Sequence, residues 1–495
     1  MRKKSMSGGH TVEPESTACM EYDKLAEASP VHSNPSQEPQ LQTRHGVDLI
    51  RARALFDRER RAFTEAMPTS RTLSAEAAEH LLFGVPLHWM QDWSTPFSLV
   101  VKEARGATFT DVDGHRYADF CLGDTGAMFG HAPEPVARAL ADQATRGYTT
   151  MLPSEDAAWV SHELARRFRL PVWQFALSAS DANRFVLRWA RAATGRNTIV
   201  VFNGCYHGTV DDVFVDLVDG RPVQRDSLLG QSYDLLANTR VVEFNDLDAL
   251  EAALKDGDVA CVLAEPALTN IGIVPAEPGF HDALRALTRK HGTLLVIDET
   301  HTMCAGPGGF TAANGLDPDV LTVGKAIGSG IPSAAYGFTE EVAARIDDAI
   351  GVDDSDVGGV GGTLAANVLS LTAMRATLTH VLTDEAFGRM IALGERFEEG
   401  VASVIEEHGL PWHVTRLGCR VEYLFRPERP RNGSEAAEGI DHLLDRLIHL
   451  YALNRGVLLT PFHNMALMSP ATSEADVDRH TEVFAEAAAE LVGSL

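Results

Sequence analysis

Apolar residues in the middle of the chain fall into short unbroken runs. Thr198–Phe202 reads Thr-Ile-Val-Val-Phe, Val259–Ala264 reads Val-Ala-Cys-Val-Leu-Ala, and 293–297 reads Thr-Leu-Leu-Val-Ile. Runs of this length without polar alternation predict strands buried on both faces. Between them, 246–254 and 282–291 carry their apolar positions at helical spacing. Strand and helix in alternation predict a mostly parallel sheet covered by helices, so the fold class is α/β. Upstream, the strand-like segments 107–112 and 115–120 meet at Asp113 and Gly114, a pair that favours a hairpin turn.

The pattern changes near 378–384. Helical spacing over 386–408 is followed by strand-like alternation over 412–425 and a final helix over 474–495. This predicts a large domain at 106–380 and a smaller α+β domain at 381–495. Residues 427–434 read as a surface loop, rich in Pro, Arg, Asn and Gly. Toward the other end, 48–66 spaces Leu49, Ile50, Leu55 and Phe56 as on a helix, and Ser74 is placed to cap another that runs toward Leu82. Residues 46–105 form an N-terminal arm on this reading, suited to lie across a partner subunit. Residues 1–45 are too polar to offset the entropy of ordering and predict a disordered tail.

An apolar content of 45% in 495 residues is ample for a large core. The net charge of -26 repels nucleic acid and anionic membranes, which excludes partners of that kind. Cys19, Cys121, Cys205, Cys261, Cys304 and Cys419 lack paired spacing, which suits reduced thiols in a cytoplasm and shows no zinc pattern. No apolar stretch follows the basic start, and no run of about 18 apolar residues could span a membrane. A soluble, cytoplasmic protein is expected.

Chemistry enters where the apolar runs end. Asp298 follows four apolar residues, so its carboxylate belongs at the carboxyl edge of the sheet, where open α/β folds hold ligands. A buried acid needs a partner. Lys325 stands 27 positions later between glycines at 324, 328 and 330. An acid that keeps a pyridine nitrogen protonated and a lysine that forms a Schiff base are what pyridoxal phosphate requires. Asp298 could instead ligate a metal with Glu299 and His301, although no second cluster of ligands supports that. The lysine loop is not a P-loop, because Asp319 and Ala326 replace the first glycine and the magnesium-binding hydroxyl.

Two further segments suit the same ligand. Ser178, Ala179 and Ser180 precede helical spacing and follow a short strand at 173–177, so hydroxyls and backbone N–H groups meet at a helix start, where phosphate binds. An ordinary serine cap has the same appearance. Tyr206 and His207, flanked by Gly204 and Gly208, follow the strand Thr198–Phe202, and the aromatic ring could stack on a flat cofactor or simply pack in its loop.

Tyr206-His207-Gly208, the segment from Glu265 to Gly272, Asp298-Glu299-Thr300, the segment from Gly324 to Pro332, and Gly362-Thr363-Leu364 together resemble the class III (subgroup II) pyridoxal-phosphate aminotransferases. Within that class the chain is most similar to the branch that includes glutamate-1-semialdehyde aminomutase, over roughly residues 95 to 490. The resemblance implies a fold-type I homodimer with shared active sites. It assigns the Schiff base and proton transfer to Lys325, the pyridine nitrogen to Asp298, and ring stacking to Tyr206 with His207 beside it. Ser178, Ala179 and Ser180 would hold the phosphate, joined by Thr363 from the other subunit. Asn270 matches a residue near the cofactor's phenolic oxygen, and Glu265 a glutamate of the site wall.

The chain also departs from the family. Ala179 stands where a glycine is usual, which costs strain if the backbone angle there is positive. Asp124 replaces a pocket aromatic and favours a substrate with a second amine or hydroxyls. The segment Thr460 to Asn464 lacks the carboxylate-binding arginine common near the C-terminus, so His463 or Arg420 would take over that role. Trp89 and Trp93 are placed to line the pocket mouth. The activity expected is transfer of an amino group from an amine or amino acid to a keto acid or aldehyde. The alternative is a 2,1-aminomutase, which moves the group within one carbon skeleton.

Overall fold

The computed structural model describes residues 43–351 and 358–493. The expected tail lies outside the described residues as far as 42, as does Cys19, while Thr43–Arg44 pairs with Val47–Asp48 in a short antiparallel ribbon. Asp48 then starts the helix Leu49–Ala66, its Oδ1 accepting the backbone N–H groups of Ile50 and Arg51 at 2.8 and 3.3 Å. These are donors that a helix start leaves open. The next helix, Pro68–Ala78, begins at Pro68 and not at Ser74. Proline presets the first helical φ and lacks the N–H that would go unpaired there, whereas Ser74 lies in mid-helix with its hydroxyl donating to the Ser98 carbonyl at 3.0 Å.

A seven-stranded sheet organises the chain. Its order is Thr239–Val242, Thr198–Phe202, Val259–Ala264, Leu294–Asp298, Val320–Val323, Ala334–Phe338 and Val172–Ala176. Ala334–Phe338 runs antiparallel to both neighbours, and the other pairings are parallel. All five residues of Thr198–Phe202, and all six of Val259–Ala264, are buried, as continuous apolar runs predict. Helices Leu247–Leu254 and Phe280–His291 connect these strands. One element left no trace in the spacing. Val368–His380 is an α-helix buried around most of its circumference, so its apolar residues show no single face.

Register decides what meets at the sheet's carboxyl edge. Asp298 pairs with Thr322 on the next strand, so the turn that starts at Lys325 emerges beside it. The strand Thr198–Phe202 ends at the same edge and leads into Asn203 and Tyr206.

The hairpin expected at Asp113 and Gly114 joins Thr108–Asp111 to Arg116–Asp119 in a four-stranded sheet with Val101–Arg105 and Val457–Leu458. His413–Leu417, Arg420–Leu424 and Met465–Leu467 form a separate antiparallel sheet, against which the long helix Asp384–Glu407 packs. The loop read at 427–434 ends sooner, because Asn432 caps a short helix, Gly433–Ala437. A Cβ on Gly433 would come within 2.2 Å of the Asn203 carbonyl, so this turn is docked closely and not free at the surface. The described cysteines are all buried and unpaired. No helix among the described residues is long and apolar enough to cross a membrane.

Candidate active site

Asp298 ends its strand almost fully buried, and both carboxylate oxygens are engaged. Oδ1 accepts the Thr300 backbone N–H at 3.0 Å, and Oδ2 accepts from Asn183 Nδ2 at 2.8 Å and from His207 Nδ1 at 3.0 Å. Burial alone would raise this carboxyl, but the hydrogen bonds from His207 and Thr300 outweigh it and hold it at about 2. His207 is raised despite its burial, by Cys205 and by Asp298 at its ring nitrogen. The acid is therefore a fixed negative charge, as a low-dielectric site with several donors requires.

Asn183 locks this arrangement. Its amide also donates to the His207 carbonyl at 3.0 Å, and its Oδ1 accepts the Thr322 hydroxyl at 2.8 Å. The residue belongs to the helix Ala179–Thr194, whose cap is Ser178. Ser178 does what an ordinary cap does: its Oγ accepts the Asp181 backbone N–H at 3.2 Å and donates to the Asp181 carboxylate at 2.9 Å. Ala179 lies in the helix with no positive φ, so the feared strain is absent. Space here is tight. A Cβ on Gly208, at φ +85°, would come within 2.2 Å of Ser180 Oγ, and one on Gly324 within 3.0 Å of Ala179 Cβ. Thr209 N–H also bonds Ser180 Oγ, at 3.0 Å.

Lys325 faces this acid's surroundings from the turn after the neighbouring strand, with 29% of its side chain exposed. Its Nζ donates to Asp124 Oδ2 at 2.7 Å and to His301 Nε2 at 2.9 Å. Burial first, and then the Lys325 charge, push His301 down to about 3, so its imidazole is neutral. With Nε2 facing the lysine, Nδ1 lies 3.0 Å from Thr125 Oγ1 and 3.4 Å from Arg420 Nη1. Burial opposes ionisation of Asp124, but the Lys325 charge holds its carboxyl well below the usual range.

Glu299 turns away from this cluster, accepting from the Thr302 hydroxyl at 2.5 Å and the backbone N–H groups of Phe310 and Thr311 at 3.1 and 2.5 Å. Asp298, Glu299 and His301 therefore serve three separate sets of partners. Among the described residues no three His, Cys, Asp or Glu side chains gather as a metal site.

The family model for class-III aminotransferases matches residues 89–487. The chain belongs to that family. It is 34% identical over 408 residues to a glutamate-1-semialdehyde 2,1-aminomutase from Chloroflexus aggregans, a match covering 79% of this chain and 90% of that one. Among solved structures, a glutamate-1-semialdehyde-aminomutase from Pseudomonas aeruginosa PAO1 is 52% identical with a TM-score of 0.89, covering 90% of this chain and all of that one. A variant of the same protein was solved in complex with PMP. A beta-phenylalanine aminotransferase from Variovorax paradoxus shares 27% identity at a TM-score of 0.80, covering 90% of this chain and 99% of its own. The fold is that of the pyridoxal-phosphate-dependent aminotransferases.

The remaining sequence candidates of this aminotransferase fall into distinct environments. Tyr206 is half-exposed, set edge-on against Phe214 with ring centroids 6.2 Å apart, and burial and the charge of Asp124 raise its hydroxyl. Asn270 donates to the Gly204 carbonyl at 3.3 Å. Glu265 is buried, takes the Thr269 hydroxyl on Oε2, leaves Oε1 without a partner, and is pushed by burial up to about 7. Thr363 is exposed at a cavity of about 340 Å³ that Leu177, Asp181 and Phe185 also line. Trp89 stands edge-on to Phe462 at 5.8 Å, and Trp93 is half-buried.

Arg420 is not an open clamp. It is fully buried, and its guanidinium donates to the Thr269 carbonyl at 2.6 Å and to Glu422 Oε2 at 3.2 Å. His463 lies 3.2 Å from the other oxygen of Glu422. Burial disfavours the Glu422 anion, yet His463 and Arg420 together lower its pKa. Removing one partner of such a pair strands a buried charge. Glu422→Ala is expected to lower unfolding stability by about 3 to 5 kcal/mol, read from urea denaturation; a loss under about 1 kcal/mol would show that the guanidinium finds another acceptor.

Asn183, Thr125 and Glu422 were not singled out as site residues from the sequence, and His301 only as a possible metal ligand. Asn183 had one available signal, its place within the first two turns of a helix whose start was already suspect.

Proposed function

We propose that the chain is a pyridoxal-phosphate-dependent aminotransferase that moves an amino group from an amine or amino-acid donor to a keto acid or aldehyde by a ping-pong route. One observation carries the reading: a half-buried lysine amine opens onto the same sheet edge as a buried carboxylate held ionised by three donors. The residues present fit the cofactor on further counts. The cradle between Ser180 and Gly208 and between Ala179 and Gly324 admits no extra Cβ, and it lies at the start of a sixteen-residue helix whose open N–H groups favour phosphate. His207 Nε2 and Glu265 Oε1 are buried polar atoms still without partners.

When bound, pyridoxal phosphate supplies a carbonyl that condenses with amines and a pyridinium ring that accepts an electron pair. Lys325 would be the amine that holds it and a base placed to move a proton. Asp298, fixed by Asn183 and His207, would keep the ring nitrogen protonated. Tyr206 would lie against the ring, and Asn270 and Glu265 would line the wall of the site. Ser178, Ala179 and Ser180 would hold the phosphate, joined by Thr363 from a second copy in a homodimer. Residues 106–380 act as the cofactor-bearing domain and 381–495 as the smaller one, in a cytoplasmic enzyme.

A 2,1-aminomutase is the second reading, favoured by the activity named for relatives at 34% and 52% identity. Dependence on an acceptor separates the two. Purified enzyme given a donor amine alone should stop after one equivalent, and adding a carbonyl acceptor should restore turnover. Multiple turnovers on a single amino-aldehyde without any acceptor would overturn the transaminase reading in favour of the mutase.

A further inference from the structure

The loop from Leu122 to Thr125 is strained. Leu122, Asp124 and Thr125 have φ of 45°, 49° and 79°, and Lys325 has 48°. L-residues avoid this region, and a β-branched residue such as threonine avoids it most. Each such residue costs free energy and persists where surrounding structure imposes it. Here the distortion delivers Asp124 Oδ2 to the amine of Lys325 and Thr125 Oγ1 to His301.

The carboxylate so placed has capacity to spare. Oδ1 of Asp124 is buried without a hydrogen-bond partner, 3.9 Å from His301 Nδ1, while 36% of the side chain is exposed. Lys325 is the cation hydrogen-bonded to Asp124, and Arg420 nearby is matched by Glu422. Asp124 thus loses its ammonium partner whenever Lys325 leaves it. An ammonium, with three N–H donors, fits two carboxylate oxygens and the imidazole acceptor together.

Donor amines reach the enzyme as ammonium ions, and their nitrogen must arrive where the lysine nitrogen departs. We infer that Asp124 is the ammonium receptor of the site, holding the donor's amino group at the point where the structure holds Nζ of Lys325. The inference rests on the transaminase reading of Lys325. It assigns recognition of the donor to its cationic nitrogen, with no accessible arginine of this cluster left to grip a carboxylate.

The two half reactions provide the test, each followed in the holoenzyme by the cofactor's absorbance. Asp124→Asn keeps the side-chain shape, so the apparent dissociation constant for a donor alkylamine should rise at least tenfold. That for an uncharged aldehyde acceptor should stay within twofold, which a merely structural defect would not allow. An N,N-dimethylalkylamine carries an ammonium yet cannot condense; its competitive inhibition should weaken by the same factor as donor binding. Asp124→Glu, which retains the charge, should recover part of the loss. Unchanged donor affinity in Asp124→Asn, or equal weakening for donor and acceptor, would overturn the assignment of Asp124 alone. Amino transfer surviving in Lys325→Ala would instead overturn the reading on which it rests.

Discussion

Lys325→Ala should abolish amino transfer, with a loss of at least about 10⁴-fold, while the protein still folds. The variant removes the amine that joins the cofactor and the proton carrier in a single change, and either role alone is worth several orders of magnitude. Folding should survive because the Lys325 side chain is partly exposed, as are the side chains of its partners Asp124 and His301. Two measurements check this: the near-visible absorption of cofactor joined to lysine should vanish, and the melting temperature should shift little. A variant that turns over at a rate near wild type would remove Lys325 from the chemistry.

Asp298→Asn should retain cofactor yet lose about a hundredfold to a thousandfold in rate, the usual cost of deleting one preorganised electrostatic group. The reason lies in the hydrogen bonds. Asp298 accepts on both oxygens, from Thr300 on one side and from Asn183 and His207 on the other. A carboxamide has one acceptor and must set its NH₂ against an N–H, leaving a buried donor unsatisfied at roughly 1 to 3 kcal/mol. It also carries no charge with which to hold a ring nitrogen protonated. Stopped-flow absorbance with a donor amine measures the loss, and unchanged kinetics would show that another group performs this task. Asn183→Ala should fall in between, because it frees the carboxylate to move without neutralising it.

The cofactor-bearing edge was legible because it depends on local patterns. Apolar runs such as Val259–Ala264 announce buried strands, and the residues that follow them, Asp298 and Lys325, must then meet at one edge. The start of the first long helix was displaced by no more than its cap, because Asp48 signals a helix start in any context. The second helix was misplaced for the opposite reason. Ser74 has the same capping chemistry, but Pro68 and the carbonyl of Ser98 decided its surroundings. Val368–His380 escaped notice because a helix buried nearly all round has no polar face to set its phase.

The partners of the lysine are a different matter. Asp124 is 201 positions from Lys325, Asn183 is 115 from Asp298, and Thr269 is 151 from Arg420. Taken alone, each of these residues has an ordinary surface or loop reading. The strand and helix alternation, the buried acid and the glycine-flanked lysine could be read along the chain, since these follow from side-chain periodicity and backbone preference over a few residues. It is the folded packing that brings Asp124 and His301 to the lysine, Asn183 and His207 to the acid, and Glu422 to Arg420. Those outcomes depend on which charges burial forces into contact, and burial is settled by the packing of the whole chain.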